Sequence, residues 1–308
     1  MGKEFEINVC ICTYLRSKYL EECLESLLDQ MSPPKTIFSI TVIDNDINQS
    51  AKSLVSHFQV QNKVTIHYFC EKSRGIPFAR NRALDESLKL GVDYIAFIDD
   101  DERASSDWLS TLCACLYSYP NPVVIHGRVV PEFPEGTSKH MCDLLFTKKN
   151  RQTGTQLQTC ATDNVIFPSL VVSKFGLYFD TSNPLSGGTD TKFFLEVNER
   201  GIPIYECAEA IVFETVFSSR LKLSWIMSRK YRSGITTAWR RSKEGHSRTI
   251  LALKTSIDIL LRTFLILIFT LFLLRVPRNK QLLKFARSTG ILAGIFGHKV
   301  NSYAKVDV

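Results

Sequence analysis

Along the first hundred residues the apolar positions switch repeatedly between two periods. Phe5–Cys12 alternates as a strand, and Ser17–Asp29 places Leu20, Cys23, Leu24, Leu27 and Leu28 on one face of a helix. Ile37–Asp44 predicts a second strand, Gln49–Phe58 a helix, and Val64–Cys70 a third strand. Phe78–Leu90 reads as a helix closed by Gly91, a residue suited to the left-handed C-terminal turn. Tyr94–Asp99 then predicts a fourth, fully buried strand. Alternating strands and helices call for a parallel sheet with right-handed crossovers, covered by helices on both faces.

Beyond a helix at Trp108–Tyr119 the texture changes. Val123–Glu132 predicts a strand, and Pro131–Gln158 is polar and punctuated by glycine, which predicts a mobile loop. Asp163–Phe167, the run Gly187-Gly188-Thr189-Asp190 and a helix at Thr191–Arg200 complete the globular part. Leu221–Arg241 reads as a basic helix, followed by apolar stretches at Ile257–Leu274 and Leu282–Phe296. The expected division is a catalytic domain at 1–218 and a basic, apolar helical region at 219–308.

Charge sharpens that division. The chain carries a net +7, yet Arg220 to Val308 holds 18 Lys and Arg against 3 Asp and Glu. A basic region of this kind seeks an anionic partner, either nucleic acid or a membrane surface. The interleaved apolar residues are aliphatic rather than aromatic, which suits lipid and argues against nucleic acid. Nine cysteines with no Cys-x-x-Cys pair read as buried thiols in a reducing compartment, and zinc ligation is not expected. Glu4 and Glu6 occupy the place where a signal peptide needs a basic start, so the expectation is a domain that is not exported. His126, His140 and His246 have no partner at ligand spacing and are expected to be structural or exposed.

The chemistry centres on Asp99-Asp100-Asp101. The strand Tyr94–Asp99 delivers three carboxylates to its C-terminal tip, where open α/β sheets bind ligands. Two acids spaced i, i+2 can hold a hard divalent cation, and that cation a diphosphate; a solvated acidic turn is the competing reading. Four other pieces accompany the triplet: Cys12-Thr13-Tyr14-Leu15-Arg16, Asp44-Asn45-Asp46, Gly75-Ile76-Pro77-Phe78-Ala79-Arg80-Asn81, and Gly187-Gly188-Thr189-Asp190. In this order and spacing they resemble glycosyltransferase family 2, the inverting enzymes of the GT-A fold, and in particular bacterial exopolysaccharide and O-antigen sugar transferases. The resemblance covers roughly residues 5–235.

The resemblance implies a Rossmann-like α/β sheet, mostly parallel, with helices on both faces, followed here by amphipathic or apolar membrane-associated helices. It implies that Thr13 and Arg16 border the nucleoside of a nucleotide-sugar donor, uridine by family habit, and that Asp44 accepts a hydrogen bond from the base. Asp44 and Asp46 serve equally well as helix N-caps. Arg80 and Asn81 match the element lining the nucleotide pocket, although Arg80 also reads as a surface helix residue. Asp99 and Asp101 would place Mg²⁺ or Mn²⁺ across the diphosphate, with Asp100 near the sugar and Gly188 allowing close backbone approach. Asp190 matches the general base; an N-cap Asp is the competing reading, and Thr189 departs from the family's Glu at that point. Glu214, Arg229 and Arg232 match a region that contacts diphosphate, or else form a solvated or lipid-facing stripe.

The acceptor implied is a polyprenyl-linked glycan at the cytoplasmic face of the cell membrane, with one sugar added per event. Twelve apolar residues at Thr263–Leu274 span only about 18 Å, against a hydrocarbon core of about 30 Å. Helices lying in the anionic leaflet are therefore expected, with a single span, a buried helix or an oligomer interface as alternatives. Nucleotidyl or phosphoryl transfer would need a Gly-rich phosphate loop near a Lys, and none follows the first strand. A membrane-docked nucleotide-sugar-binding protein with a degenerate site is the non-enzymatic alternative, favoured only by Thr189.

Overall fold

The computed structural model describes residues 4–31, 33, 35–62, 64–146, 151–185, 187–298 and 300. The strands are β1 (Phe5–Thr13), β2 (Thr36–Asp44), β3 (Ile66–Cys70), β4 (Tyr94–Asp99), β5 (Glu102–Ala104), β6 (Val124–Glu132), β7 (Gln156–Leu157), β8 (Asn164–Pro168) and β9 (Ile204–Thr215). The helices are α1 (Ser17–Leu28), α2 (Lys52–Gln61), α3 (Ile76–Leu90), α4 (Trp108–Tyr117), α5 (Lys139–Leu145), α6 (Leu170–Ser173), α7 (Thr189–Glu199), α8 (Leu223–Lys243), α9 (Arg248–Leu271) and α10 (Arg275–Ile295). The chain forms two compact units, the first comprising Met1–Glu132, Lys149–Pro184 and Thr189–Thr215.

In the first unit one sheet runs β3-β2-β1-β4-β8-β6-β9-β5, with β7 on the flank of β9. β1, β2, β3 and β4 are mutually parallel, as the strand-helix alternation predicts. β8 enters antiparallel between β4 and β6, which makes the sheet mixed. β1 shows why both faces must be covered. Ile7, Val9 and Ile11 join a core with α1 and α4, while Cys10 points into a second core with α3 and α7. Asn8 is fully buried between them; its amide donates to Ser87 at 2.7 Å and its carbonyl accepts from Thr41 at 2.9 Å. That pairing removes most of the cost of burying an amide.

Helix ends follow local chemistry. α2 begins at Lys52, three residues later than expected, because Gln49 adopts a left-handed φ of 57° and the chain turns before it coils. α3 carries Pro in its first turn and ends at Gly91 in the left-handed region, as expected. α7 begins at Thr189, so Asp190 lies inside the first turn rather than before it. The stretch expected to be a mobile loop at Pro131–Gln158 contains α5, capped by the Ser138 hydroxyl, and the short strand β7. Its periodicity spans too few residues to register against a polar background. Residues 147–150 of that stretch lie outside the described residues.

The second unit gathers Phe133–Lys148, Leu185–Gly188 and Val216–Val308. α8 and α10 cross backbone to backbone. A Cβ at Gly290 would overlap the Tyr231 carbonyl, and one at Gly234 would overlap the Arg287 carbonyl. Leu144, Leu145, Val216, Ile226 and Leu283 form a small core. α9 buries only Leu251 and Thr255 and leaves its apolar side open. Among the described residues no helix is long and apolar enough to cross a membrane, so the single-span alternative has no helix to carry it.

Candidate active site

β1 sits at the centre of the first unit, where the sheet order reverses: β2 and β3 lie on one side, β4 and β8 on the other. Crevices form at the carboxyl ends of strands at such a reversal. The register aligns Thr13 with Asp44 and Cys12 with Asp99. Three strand tips from distant parts of the sequence therefore end together.

Arg16 and Thr13 organise the acidic tip. The Thr13 hydroxyl donates to Asp100 at 2.8 Å, and the Arg16 guanidinium reaches Asp100 at 3.1 Å and Asp101 at 3.3 Å. Asp100 and Asp101 are both buried. Asp100 thus faces the protein, where its partners come from the end of β1 and the β1–α1 connection. Burial pushes its carboxyl up to about 6, against the pull of Arg16 and with the repulsion of Asp101. Asp99 differs. Its side chain is 43% exposed, with Arg80 at 3.8 Å. Its carboxyl is pushed up to about 7, first by desolvation, against Arg80 and with the charges of Asp101, Asp163 and Asp100. Since much of the side chain still meets solvent, only the upward direction is kept, with desolvation as its first cause and the neighbouring carboxylates adding to it against Arg80.

Glu102 extends that surplus. It is buried, its carboxylate accepts the Asp99 N–H at 3.0 Å, and burial followed by Asp99 and Asp163 holds it well above the usual carboxylate range. Glu102 is absent from the expected site, although the unbroken run of four acids at 99–102 was a visible signal. His126 was also invisible as a partner. It is buried between Asp163 and Glu206, with 3.3 Å from Nε2 to Asp163 and 3.3 Å from Nδ1 to Glu206. Burial disfavours its charge most, yet the two carboxylates prevail and raise its pKa above 6.5.

Several expected site residues have work inside the fold. Asp44 is fully buried; it accepts from the N–H groups of Asp46 at 3.0 Å and Ala51 at 2.8 Å and from the Tyr68 hydroxyl at 2.9 Å. Asn81 exchanges two hydrogen bonds with the Phe179 backbone, at 2.8 and 2.9 Å. Arg80 is buried, its guanidinium 5.5 Å from the Phe179 ring centre as well as near Asp99. Asn45 holds the turn before α3, accepting the Gly75 N–H at 2.8 Å and donating to Glu71 and Ser73. Gly75 has φ 140° and lies so close to Pro184 that a Cβ would meet it at 2.6 Å.

Asp190, in the first turn of α7, accepts the Thr191 N–H at 2.7 Å. Buried Cys160 registers its surroundings: burial raises the thiol most, followed by the charges of Asp163, Asp190 and Glu206. The charge of Asp190 thus reaches Cys160 together with those of Asp163 and Glu206. Thr189 beside it is buried, as no charged Glu would be without a partner. Glu214 pairs in register with Glu102 across β9 and β5. In the second unit, Gly188 has φ 87° and packs against Thr236. There also Arg229 and Arg232 lie 5.8 and 5.9 Å from the Trp225 ring centre, with Arg220 on the same ring at 5.8 Å.

No group of three or more His, Cys, Asp or Glu suited to a metal ion occurs among the described residues. The donor set at 99–101 nevertheless suits a hard cation that takes part of its coordination from a substrate: carboxylate oxygens, one of them exposed, under mutual repulsion. Asp101 turned towards Arg16 is the part of the arrangement that would have to open.

Comparison with known proteins agrees with this architecture. The family model for glycosyl transferase family 2 matches residues 8–175. The succinoglycan biosynthesis protein ExoM of Rhizobium meliloti (strain 1021) is 30% identical over 307 residues, covering 97% of this chain and 95% of the relative. The glucosyl-dolichyl phosphate glucuronosyltransferase of Haloferax volcanii is 30% identical over 132 residues, 42% of this chain and 39% of that protein. Among solved structures, S. aureus TarS 1-349 in complex with UDP superposes with a TM-score of 0.55 at 17% identity, covering 94% of this chain and 89% of that one. The mannosyltransferase PcManGT of Pyrobaculum calidifontis in complex with GDP-Man and Mn²⁺ gives 0.59 at 14% identity, covering 94% and 74%. These likenesses establish a GT-A-like fold, and with the family match they show that the chain is a glycosyltransferase belonging to family 2.

Proposed function

We propose that this glycosyltransferase moves a single sugar, with inversion, from a nucleotide-diphosphate sugar to a lipid-linked glycan during exopolysaccharide assembly. The observation that carries the reading is the exposed Asp99 carboxylate at the β1/β4 tip, flanked by Arg80 and backed by the Arg16-bound Asp100 and Asp101. Support for the donor class comes from the nucleotide ligands of the two superposed proteins, UDP in TarS and GDP-Man in PcManGT. Support for the polysaccharide setting comes from ExoM, whose alignment runs the length of both chains.

In this reading Asp101 and Asp99 hold Mg²⁺ or Mn²⁺, and Arg16 leaves Asp101 for the donor diphosphate. When bound there, the cation would supply Lewis acidity toward the donor diphosphate. Arg80 adds a fixed positive charge at Asp99, and Thr13 keeps Asp100 in place beneath the sugar. Asp190 takes the acceptor hydroxyl's proton from the opposite side as the anomeric carbon is attacked in line. Residues 1–218 act as the catalytic domain. The basic region 219–308 holds it at the cytoplasmic membrane surface, where α9 lays its open apolar side on lipid.

Calorimetry with UDP on detergent-solubilised protein tests the donor site. Binding should require Mn²⁺ or Mg²⁺ and disappear in Asp101→Ala. Metal-independent binding that survives the substitution would sink the assignment of the acidic tip.

A further inference from the structure

The second unit contains a cavity of about 340 Å³ walled by three helices. Arg241 comes from α8, Lys254 and Arg262 from α9, and Lys284 and Arg287 from α10. Against these five cations stands one carboxylate, Asp258. That carboxylate is already satisfied: Arg262 donates to it at 2.8 and 3.1 Å, and the Ser288 hydroxyl at 2.6 Å. Arg262 is further fixed by Gln281 at 2.9 Å. No ion pair of Arg241, Lys254, Lys284 or Arg287 with a carboxylate is present among the described residues, and Arg287 meets only the Thr237 hydroxyl, at 3.5 Å.

Lys284 also lends its charge to Asp258, yet a single carboxylate stands against five cations, and like charges drawn round one cavity repel each other. The fold nevertheless holds them together. The close α8–α10 crossing at Gly234 and Gly290 fixes the spacing of two walls, and the Asp258–Ser288 bond ties α9 to α10. The positive field reaches beyond the cavity: Lys230 on α8 is held below the ordinary lysine range, by burial first and then by Arg229 and Arg287. Such an arrangement is complementary to a phosphate, which accepts charge-assisted hydrogen bonds from several directions.

The same helix α9 points to the source of that phosphate. Leu253, Ile257, Leu260, Phe264, Leu267 and Leu271 are all exposed and recur at alternating steps of four and three, a continuous stripe on the side away from the cavity. Phe272, Leu273 and Leu274 extend it through the turn to α10. A second copy laid on this stripe would bring two basic units together, which like-charge repulsion opposes. A bilayer with anionic headgroups accepts the stripe and the charges together.

We propose that the cavity between α8, α9 and α10 is a receptor for the phosphate group of an anionic lipid headgroup. The assignment rests on the reading of α9 as membrane-facing, and it adds a specific site to a surface that would otherwise bind by diffuse attraction.

Flotation of the full chain with vesicles of phosphatidylcholine alone, or with phosphatidylglycerol added, separates the two layers of the argument. Neutral vesicles report the apolar stripe; the increase on adding anionic lipid reports the cavity. Lys254 and Lys284 are exposed, so Lys254→Gln/Lys284→Gln should leave the fold intact, as circular dichroism would verify. This variant should lose roughly tenfold or more of the anionic-lipid increment. The equally charged control Arg275→Gln/Lys280→Gln, outside the cavity, should lose clearly less. Equal losses in both variants would reduce the effect to diffuse charge and overturn the site. Neutral binding with no anionic increment would overturn the site while leaving the membrane reading standing, and no flotation at all would overturn both. A calorimetric signal with inorganic pyrophosphate that the cavity variant loses, without change in flotation, would assign the cavity to a soluble phosphate. Dimerisation in place of vesicle binding would assign the stripe to a second copy; either result overturns the lipid proposal.

Discussion

The Thr13 hydroxyl donates to the Asp100 carboxylate at 2.8 Å, tying the end of β1 to the turn after β4 across 87 positions of sequence. Both residues are buried, so the bond cannot be replaced by water without opening the site. Thr13→Val should cost about 1–3 kcal/mol in stability, the range for leaving a buried polar group short of a partner. It should also release the acidic tip and weaken donor binding. Chemical denaturation and calorimetry measure the two effects; stability unchanged from the parent would show that Arg16 alone holds Asp100.

Asp190→Asn keeps the shape of the first turn of α7 and removes the carboxylate proposed as the base. The expected result is a loss of about 10²–10⁴ in kcat with donor affinity unchanged. A variant that retains turnover would move the base elsewhere in the acidic neighbourhood, with Asp163 the first candidate.

His126 should give the first unit a pH-dependent stability. Its pKa is raised above 6.5 in the fold, so the stabilisation it provides is complete below 6.5 and is lost as pH rises through the folded value. Glu206 is shifted the other way: burial acts upward, but the bond and charge of His126, with Arg151, bring it below 4.5. Its contribution is present above 4.5 and is lost as pH falls through the lowered value. Asp163 on the other ring nitrogen and Arg151 at 3.5 Å from Glu206 also face the pair. Thermal melts across this range should decline on the alkaline side for the parent and much less for His126→Gln. Parallel curves for the two proteins would remove His126 as the cause.

Gly290→Val should break the α8–α10 crossing, because the added side chain would occupy the space of the Tyr231 carbonyl. Overpacking of this kind costs about 1–3 kcal/mol or more. Limited proteolysis should reach the second unit sooner while the first unit's thermal transition changes little. Unaltered proteolysis would show that the crossing yields without cost.

Much of the first unit was legible in sequence because parallel strands buried on both faces leave continuous apolar runs, and amphipathic helices leave stripes. Phe5–Thr13, Thr36–Asp44 and Tyr94–Asp99 were found to within a residue or so. β9, at Ile204–Thr215, was missed: Glu206 and Glu209 interrupt its apolar pattern, and the first of these acids is neutralised by His126 and Arg151 rather than by solvent. The three-residue β5 is too short to show a period and exists because Glu102–Ala104 pair with β9.

Of the site, residue types and their order were readable; their occupancy was not. Asp44 and Asn81 carry the right chemistry for a ligand, yet Asp44 closes the turn before α2 and Asn81 clamps Phe179. His126 drew no attention because its two carboxylates lie 37 and 80 positions away.

The sequence by itself determined the alternation of strands and helices, the acids at the tip of β4, the basic C-terminal third and the family. Each is a property of neighbouring residues or of motif order, so it is written locally. Only the tertiary structure decided which charges meet: that Arg16 turns to Asp100 and Asp101, that Asp99 stays open beside Arg80, and that five cations from three helices enclose one cavity. Those outcomes depend on strand order and helix crossing. They bring distant charges together through burial and Coulomb energies that no local window of sequence contains.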